Sequence, residues 1–313
     1  MPLSDNPILD TSATTVGEDL NPLQELEIQS QEPTQEAQSS RGISGLSEAE
    51  MNDPNSITVT VSDRNAPLVI LFGPPACGKT MSLVRLTRFL KNEGYTLSPI
   101  ETFRPSSDTN YKEICERFDT TMNSNNAASA TNRISFMLVE VIKNGRRICQ
   151  ILEAPGEYYF NPENPNQGFP NYVNTLISSS NKKIWAIMVE PNWKDQTDRT
   201  NYVTKIARLK QNMRSKDSAI FVFNKIDRTN FVNGVGQINM SAAITEVKNL
   251  YPGIFAPFTN QNPITKWFNE YNCKFVAFQT GYYTQASKGL TYQEGPREYC
   301  VNFWSAIIDK IKG

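Results

Sequence analysis

"GPPACGKT", residues 73–80, follows the apolar run "LVILF" (68–72) and precedes "MSLVRLTRFLKNEG" (81–94). The run is continuously apolar, the pattern of a strand buried on both faces. The segment after it carries apolar residues at helical spacing and stops at Gly94. Gly73-Pro74-Pro75-Ala76-Cys77-Gly78-Lys79-Thr80 therefore matches G-x-x-x-x-G-K-[ST] in the strand–loop–helix setting that gives the pattern its meaning. In such a loop the backbone N–H groups and the helix N-terminus face a phosphate chain. Lys79 is then expected to reach the outer phosphates and the Thr80 hydroxyl to ligate Mg²⁺, with Met81 closing the cradle. Pro74 and Pro75 stiffen the loop and remove two of its donors.

Outward from this loop, the chain reads as alternating strand and helix. "ISFMLVEVIKNGRRICQILEAPGE" (134–157) is two strands joined at Asn144-Gly145, a strong hairpin signal. "KKIWAIMVEP" (182–191), "SAIFVFNKID" (218–227) and "KFVAFQT" (274–280) read as further strands. "TNYVTKIARLKQNM" (200–213), "SAAITEVKNLY" (241–251) and "REYCVNFWSAIIDKIK" (297–312) read as helices. Residues 95–132 are polar, with one short helical stretch, "YKEICERF", in an otherwise long mobile loop. Six strands, mostly parallel with one antiparallel hairpin, predict a three-layer α/β domain over residues 57–313.

Residues 1–57 hold eleven acidic residues and one basic residue, no aromatic residue, and much Ser, Thr, Gln, Glu and Pro. Such a composition cannot bury enough apolar surface to offset chain entropy, so residues 1–56 are expected to form a disordered acidic tail. The remaining 30 basic and 21 acidic residues give the body a charge of +9. The chain has no histidine, which excludes His-based triads, acid–base catalysis and metal ligation. Its five cysteines are scattered without a Cys-x-x-Cys pair, against a disulfide framework. No run approaches a membrane span, and "MPLSDNPILD" has neither a basic start nor an apolar signal core, so a cytoplasmic protein is expected. No nucleic-acid partner is indicated.

The phosphate loop does not by itself choose a base, and "GPPxxGKT" reads like the loops of AAA-type ATPases. The discriminating stretch is Asn224-Lys225-Ile226-Asp227, which closes a buried strand. An aspartate there accepts two hydrogen bonds from guanine, at N1–H and the exocyclic amine, whereas adenine leaves the carboxylate unpaired. Lys225 can lay its aliphatic stem on the base, and Asn224 can tie this loop to the phosphate loop.

With these two motifs and their strand order, residues 66–312 resemble the Ras-like small GTPases of the TRAFAC class of P-loop proteins. The resemblance implies that residues 73–80 bind the phosphates and magnesium of GTP or GDP, and that Asn224, Lys225 and Asp227 bind guanine. By position only, Gln279 and Thr280 of "QTG" (279–281) stand where the family offers a backbone N–H to the guanine. The family's Asp-x-x-Gly is here Glu153-Ala154-Pro155-Gly156: Glu153 would hold the magnesium shell and the Gly156 N–H would meet the γ-phosphate. Glu157 replaces the glutamine that orients the attacking water, so it and Lys79 are the candidate catalytic residues. Pro75 places a ring where an arginine or glutamine side chain would approach the γ-phosphate. These departures predict slow hydrolysis, or a nucleotide-binding pseudo-GTPase that serves as an interaction module.

Thr102, Thr109, Thr120, Thr121 and Thr131 are all candidates for the γ-phosphate-sensing threonine. An unidentified effector or activating protein is the implied partner. Glu190, closing "WAIMVE", is either the acid of an ATPase-type second motif or a solvated strand end. Cys77 reads either as a small filler or as a thiol that makes binding oxidation-sensitive. "YYFNPENPNQGFPNY" (158–172) reads either as a binding loop or as surface packing.

Overall fold

Continuous burial of Leu68–Phe72 places this strand, β1, at the centre of a seven-stranded sheet. The structure is a computed structural model that describes residues 46–124, 136–159, 166–190, 196–286 and 289–313. The chain divides after Arg41, and every described residue belongs to the second unit, Gly42–Gly313.

The other strands of the sheet are β2 (Thr96–Pro99), β3 (Met137–Lys143), β4 (Arg146–Glu153), β5 (Lys183–Val189), β6 (Ser218–Phe223) and β7 (Lys274–Ala277). They lie in the order β2-β3-β4-β1-β5-β6-β7. β4, β1, β5, β6 and β7 run parallel, and β3 pairs antiparallel with both β4 and β2. The β3–β4 turn has Asn144 at φ 52° and Gly145 at φ 73°, the left-handed pair that a tight hairpin requires. Burial of each large apolar side chain from this sheet contributes about 1.5–3 kcal/mol.

Phe72, Ile187 and Phe221 sit in register across β1, β5 and β6, so they share one face. On that face Phe72 meets Tyr202 of the helix Gln196–Asn212, and Phe221 meets Phe255, beyond the helix Met240–Leu250. The phosphate-loop helix Lys79–Asn92 packs with the closing helix Arg297–Lys312, which rests on β5, β6 and β7. The fold is the predicted three-layer α/β fold around a mostly parallel sheet.

The sheet has seven strands where the sequence predicts six. β2 lies inside the segment read as a long mobile loop, which also holds the helices Thr109–Glu116 and Phe118–Asn123. The helix Thr109–Glu116 matches the helical stretch read at 111–118, and the rest of the loop expectation is corrected for residues 96–123; part of the remainder, with Thr131, lies outside the described residues. The short, half-polar "TLSP" carries no period of its own, and it becomes a strand because β3 offers an open edge. Two small antiparallel ribbons, Val232–Gly234 with Gln237–Ile238 and Tyr282–Ala286 with Gly289–Gln293, also went unpredicted.

The packed body also begins before residue 57. Leu46 is buried, and Ser47 caps the short helix Glu48–Asn52 in a reciprocal box with Glu50. Glu50 also pairs with the buried Arg104, which bonds Asp108 and the Thr58 carbonyl as well. Burial alone would raise the Glu50 carboxyl; the bonds from Arg104 and Ser47 outweigh it and hold the group below its usual range.

Candidate functional site

The parallel strands deliver their C-terminal ends, and therefore the predicted motifs, to one edge of the sheet. β1 ends at Phe72 and the loop 73–78 leads into the helix starting at Lys79. Gly78 precedes that helix at φ 89°, and a Cβ there would stand 2.5 Å from Asn224 Nδ2, so both its backbone and its neighbours demand glycine. A Cβ on Gly73 would meet Cys77 Sγ at 2.6 Å. Cys77 is buried, and burial pushes its thiol up to about 11, so it fills space as a neutral group.

Lys79 is buried, and its Nζ donates to the carbonyls of Gly73 (3.1 Å) and Pro74 (2.9 Å) across its own loop. Gly156 reaches the same point from β4: a Cβ there would lie 2.4 Å from the backbone of Pro74 and Pro75 and 2.6 Å from Lys79 Nζ. The Glu153-Ala154-Pro155-Gly156 turn thus closes on the loop 73–80. Leu71 and Glu153 are register partners, which puts this carboxylate beside the start of the loop.

Thr80 Oγ1 donates to Glu153 Oε1 at 3.0 Å, and both residues are buried. A hydroxyl and a carboxylate in contact next to a phosphate loop form the oxygen donor set that suits Mg²⁺. Among the described residues no group of three His, Cys, Asp or Glu could hold a metal by protein ligands alone. Such a pair fits an ion that keeps several waters or nucleotide oxygens.

The Asn-Lys-x-Asp motif arrives from β6. Asn224 is buried, and its Nδ2 donates to the Cys77 carbonyl at 2.6 Å, the tie between loops that the sequence predicts. Lys225 takes a left-handed φ of 54°, and its Nζ pairs with Glu190 Oε1 at 2.9 Å. Glu190 is therefore a partner of the motif lysine, neither a solvated strand end nor an acid aimed at the phosphates. Asp227 stands at the rim in the turn Ile226–Arg228. Partial desolvation raises its carboxyl, against the pull of Arg228, Arg85 and Lys225.

The third loop is Gln279-Thr280-Gly281, after β7, with Gln279 and Thr280 buried. Gly281, at φ 144°, turns the chain into the ribbon Tyr282–Gln293. From this ribbon Tyr292 donates to the Thr280 carbonyl at 2.9 Å, and the Tyr283 hydroxyl bonds Thr280 Oγ1 at 3.0 Å. Among the described residues, Asn224 Oδ1 and Gln279 Nε2 are buried with no hydrogen-bond partner. On these two adjacent loops the atoms offer an acceptor and a donor to a polar ligand.

Arg85 escaped sequence reading, because a helical arginine is ordinarily a solvated one. It is buried, donates to the Pro296 carbonyl and lies over the Phe278 ring at 5.4 Å. It thereby links the phosphate-loop helix, the base loop and the closing helix. Of the candidate threonines, Thr102 donates to Ser62, Thr109 opens the helix Thr109–Glu116, and Thr120 and Thr121 lie in the helix Phe118–Asn123. Glu157 lies in the one-turn helix Gly156–Tyr159, and its side chain lies outside the described ones. In the aromatic stretch 158–172, Tyr159 and Phe169 are buried against Phe72 and Tyr172 against Tyr159 and Phe136, so they serve the core; residues 160–165 lie outside the described residues.

The sequence matches no family profile and no curated protein. Among solved structures, a nucleolar GTP-binding protein 1 of Plasmodium falciparum is similar at 13% identity over 82% of this chain and 90% of that one, with a TM-score of 0.38. Translation elongation factor SelB of Methanococcus maripaludis, in its apo form, is similar at 13% identity over 80% of this chain and 34% of that one, TM-score 0.32. The GTPase-like domain of S. cerevisiae Ski7, bound to GTP, is similar at 12% identity over 86% of this chain and 53% of that one, TM-score 0.34. These scores are low, and the chemistry of the site rests on its own residues.

Proposed function

We propose that the protein binds GTP and GDP and acts as a molecular switch with slow GTP hydrolysis. The observation that carries the reading is the Asn224–Cys77 hydrogen bond, which couples an Asn-Lys-x-Asp loop to a G-x-x-x-x-G-K-[ST] loop in one site. Phosphates bind along residues 73–81, with the Lys79 ammonium over the outer oxygens. Asp227 accepts from the guanine N1–H and exocyclic amine, Lys225 covers the base with its stem, and the Gln279–Thr280 backbone borders it. Thr80 and Glu153 would hold Mg²⁺, which when bound supplies positive charge to the β- and γ-phosphate oxygens.

Hydrolysis requires water held in line with the γ-phosphate and a donor for the charge that spreads over its oxygens. Water's oxygen bonds to the γ-phosphorus, the bond to the β-bridging oxygen breaks, and GDP and phosphate leave. Glu157, an anion at neutral pH, can accept from the water but cannot donate to the phosphoryl oxygens as a glutamine would. Turnover is therefore no faster than about 10⁻⁴ per second without help, and an activating partner supplies the missing donor. The second reading is a pseudo-GTPase interaction module. It is favoured by Glu157 beside a polyanion and by the ring of Pro75. An ATPase is disfavoured, because adenine would leave Asp227 unsatisfied.

Titration calorimetry tests the base assignment. GTP should bind far more tightly than ATP. Asp227→Asn should lose that preference and gain affinity for xanthosine triphosphate, whose 2-oxo group accepts from the new amide. Equal affinity of the wild type for ATP and GTP overturns it.

A further inference from the structure

We propose that the edge of the sheet opposite the nucleotide loops is a peripheral docking surface for an anionic lipid bilayer, with the helix Pro263–Phe268 as its apolar anchor. The anchor is the least expected surface of the molecule. Ile264, Trp267 and Phe268 occupy positions i, i+3 and i+4 of this helix and are 73%, 87% and 78% exposed. That spacing puts all three on one helical face. An indole and a phenyl ring left in water on one turn mark an interaction site.

The place of the helix is set by its loop. Residues 259–271 leave and rejoin the body at the Thr259–Tyr271 bridge, where the Asn260 side chain donates to the Asn269 carbonyl and its backbone N–H to the Glu270 carbonyl. Two residues after that bridge the chain reaches Cys273 and then Lys274, the first residue of β7. The nucleotide loop 278–281 follows the other end of the same strand, so the anchor and the nucleotide site lie at opposite ends of β7.

Cations gather at the anchor's end. Lys182, Lys216 and Lys274 stand at or just before the starts of β5, β6 and β7, three neighbouring parallel strands. The closing helix returns to the same edge, where Lys182 Nζ donates to the Ile311 carbonyl and Lys310 lies near Lys182 and Lys274. Lys210 and Lys310 flank Cys273 at the foot of the loop. Lys274 is paired with Asp309, and Lys248 with Glu270. Among the described residues, Lys182, Lys210, Lys216, Lys266 and Lys310 have no carboxylate within ion-pair distance. Burial holds the Lys310 ammonium below its usual range; Lys274 and Lys182 push the same way, against Cys273 and Asp309.

Charge complementarity selects the occupant. Each lysine near an anionic leaflet adds to the attraction, and a short helix with Trp and Phe outward and Lys beside them is the composition of an interfacial anchor. Six residues cannot span a bilayer, and among the described residues no helix is long and apolar enough to do so. The helix would lie in the headgroup layer, roughly 5–10 Å deep. A protein pocket for the anchor would ask for fixed hydrogen-bonding partners around it, whereas a spread of ammonium groups without carboxylate partners, Lys182 and Lys216 resting on the Ile311 and Ser180 carbonyls, suits a diffuse anionic surface.

The test is cosedimentation of the full chain with vesicles of phosphatidylcholine alone or with phosphatidylserine added. Wild type should bind the anionic vesicles, weakly bind the neutral ones, and detach as salt rises. Trp267→Ala/Phe268→Ala should lower the partition coefficient at least tenfold, on the order expected for two large apolar side chains, with an unchanged melting temperature because both residues are exposed. Brominated acyl chains should quench the tryptophan emission of wild type more than that of Trp267→Phe, which keeps the apolar bulk. Absence of binding by wild type, or equal binding by the double variant, overturns the proposal. So does a wild-type dimer that the double variant dissolves, or tight binding to polyglutamate in place of vesicles. None of these outcomes bears on nucleotide affinity.

Discussion

Replacing Gly78 by alanine attacks the site where the phosphate and base loops meet. The new Cβ meets two separate obstacles. The backbone sits at φ 89°, where a side chain costs about 1–2 kcal/mol. The Cβ would also stand 2.5 Å from Asn224 Nδ2, so that amide must move and release the Cys77 carbonyl. A buried carbonyl left without its partner costs about 1–3 kcal/mol. Gly78→Ala should therefore destabilise the protein by about 2–5 kcal/mol. Asn224→Ala removes the same hydrogen bond by itself, for about 1–3 kcal/mol. If the bond is the shared element, the double variant loses it only once. Urea denaturation of the nucleotide-free wild type, both single variants and the double variant should then show a double cost about 1–3 kcal/mol below the sum of the singles. Additivity within about 0.5 kcal/mol would refute the shared-bond reasoning, and with it the observation that carries the functional reading.

Three further outcomes are expected. Glu157→Gln should leave GTP affinity equal or tighter, since it removes a negative charge near the phosphates, and should raise single-turnover hydrolysis; a collapse of turnover would make Glu157 a working base, and inertness of both proteins would favour the pseudo-GTPase. Deleting residues 1–41 should leave the melting temperature unchanged, whereas deleting 1–56 also strips Leu46 and Glu50 from the body and leaves the buried Arg104 with Asp108 as its carboxylate partner. The longer deletion should lower the melting temperature by about 5–10 °C in differential scanning calorimetry, and equal melting of the two truncations would show that this pairing contributes nothing. Lys183 is buried on the carbonyls of Ser179 and Asn181, and burial lowers its ammonium to about 8. Its folded value lies below the unfolded one, so the unfolded chain binds more protons between the two and stability rises with pH through that window. Between about pH 8 and 10.5 the urea midpoint of wild type should gain on that of Lys183→Met, and parallel midpoints would contradict the assignment.

Wherever a function depends on near neighbours in the chain, the sequence already carried it. β1, the loop 73–80 and the helix after it are contiguous, so spacing alone exposed strand, phosphate cradle and helix. The Asn144-Gly145 turn was legible because two left-handed residues in succession have few other uses. Asn224 to Asp227 became meaningful once β6 was recognised as a neighbour of the same sheet edge. Other features come from pairs far apart in the chain. Glu190 on Lys225, Glu50 on Arg104 and Gly156 against Pro74 and Pro75 join residues whose spacing carries no period. β2 exists because β3 left an edge to pair, and Arg85 is buried because Phe278 and Pro296 close over it. Local propensity is written in a few adjacent dihedral angles and survives reading residue by residue. Burial of a charge, or the approach of two backbones, depends on which surfaces the folded sheet brings together, and tertiary packing alone decides that.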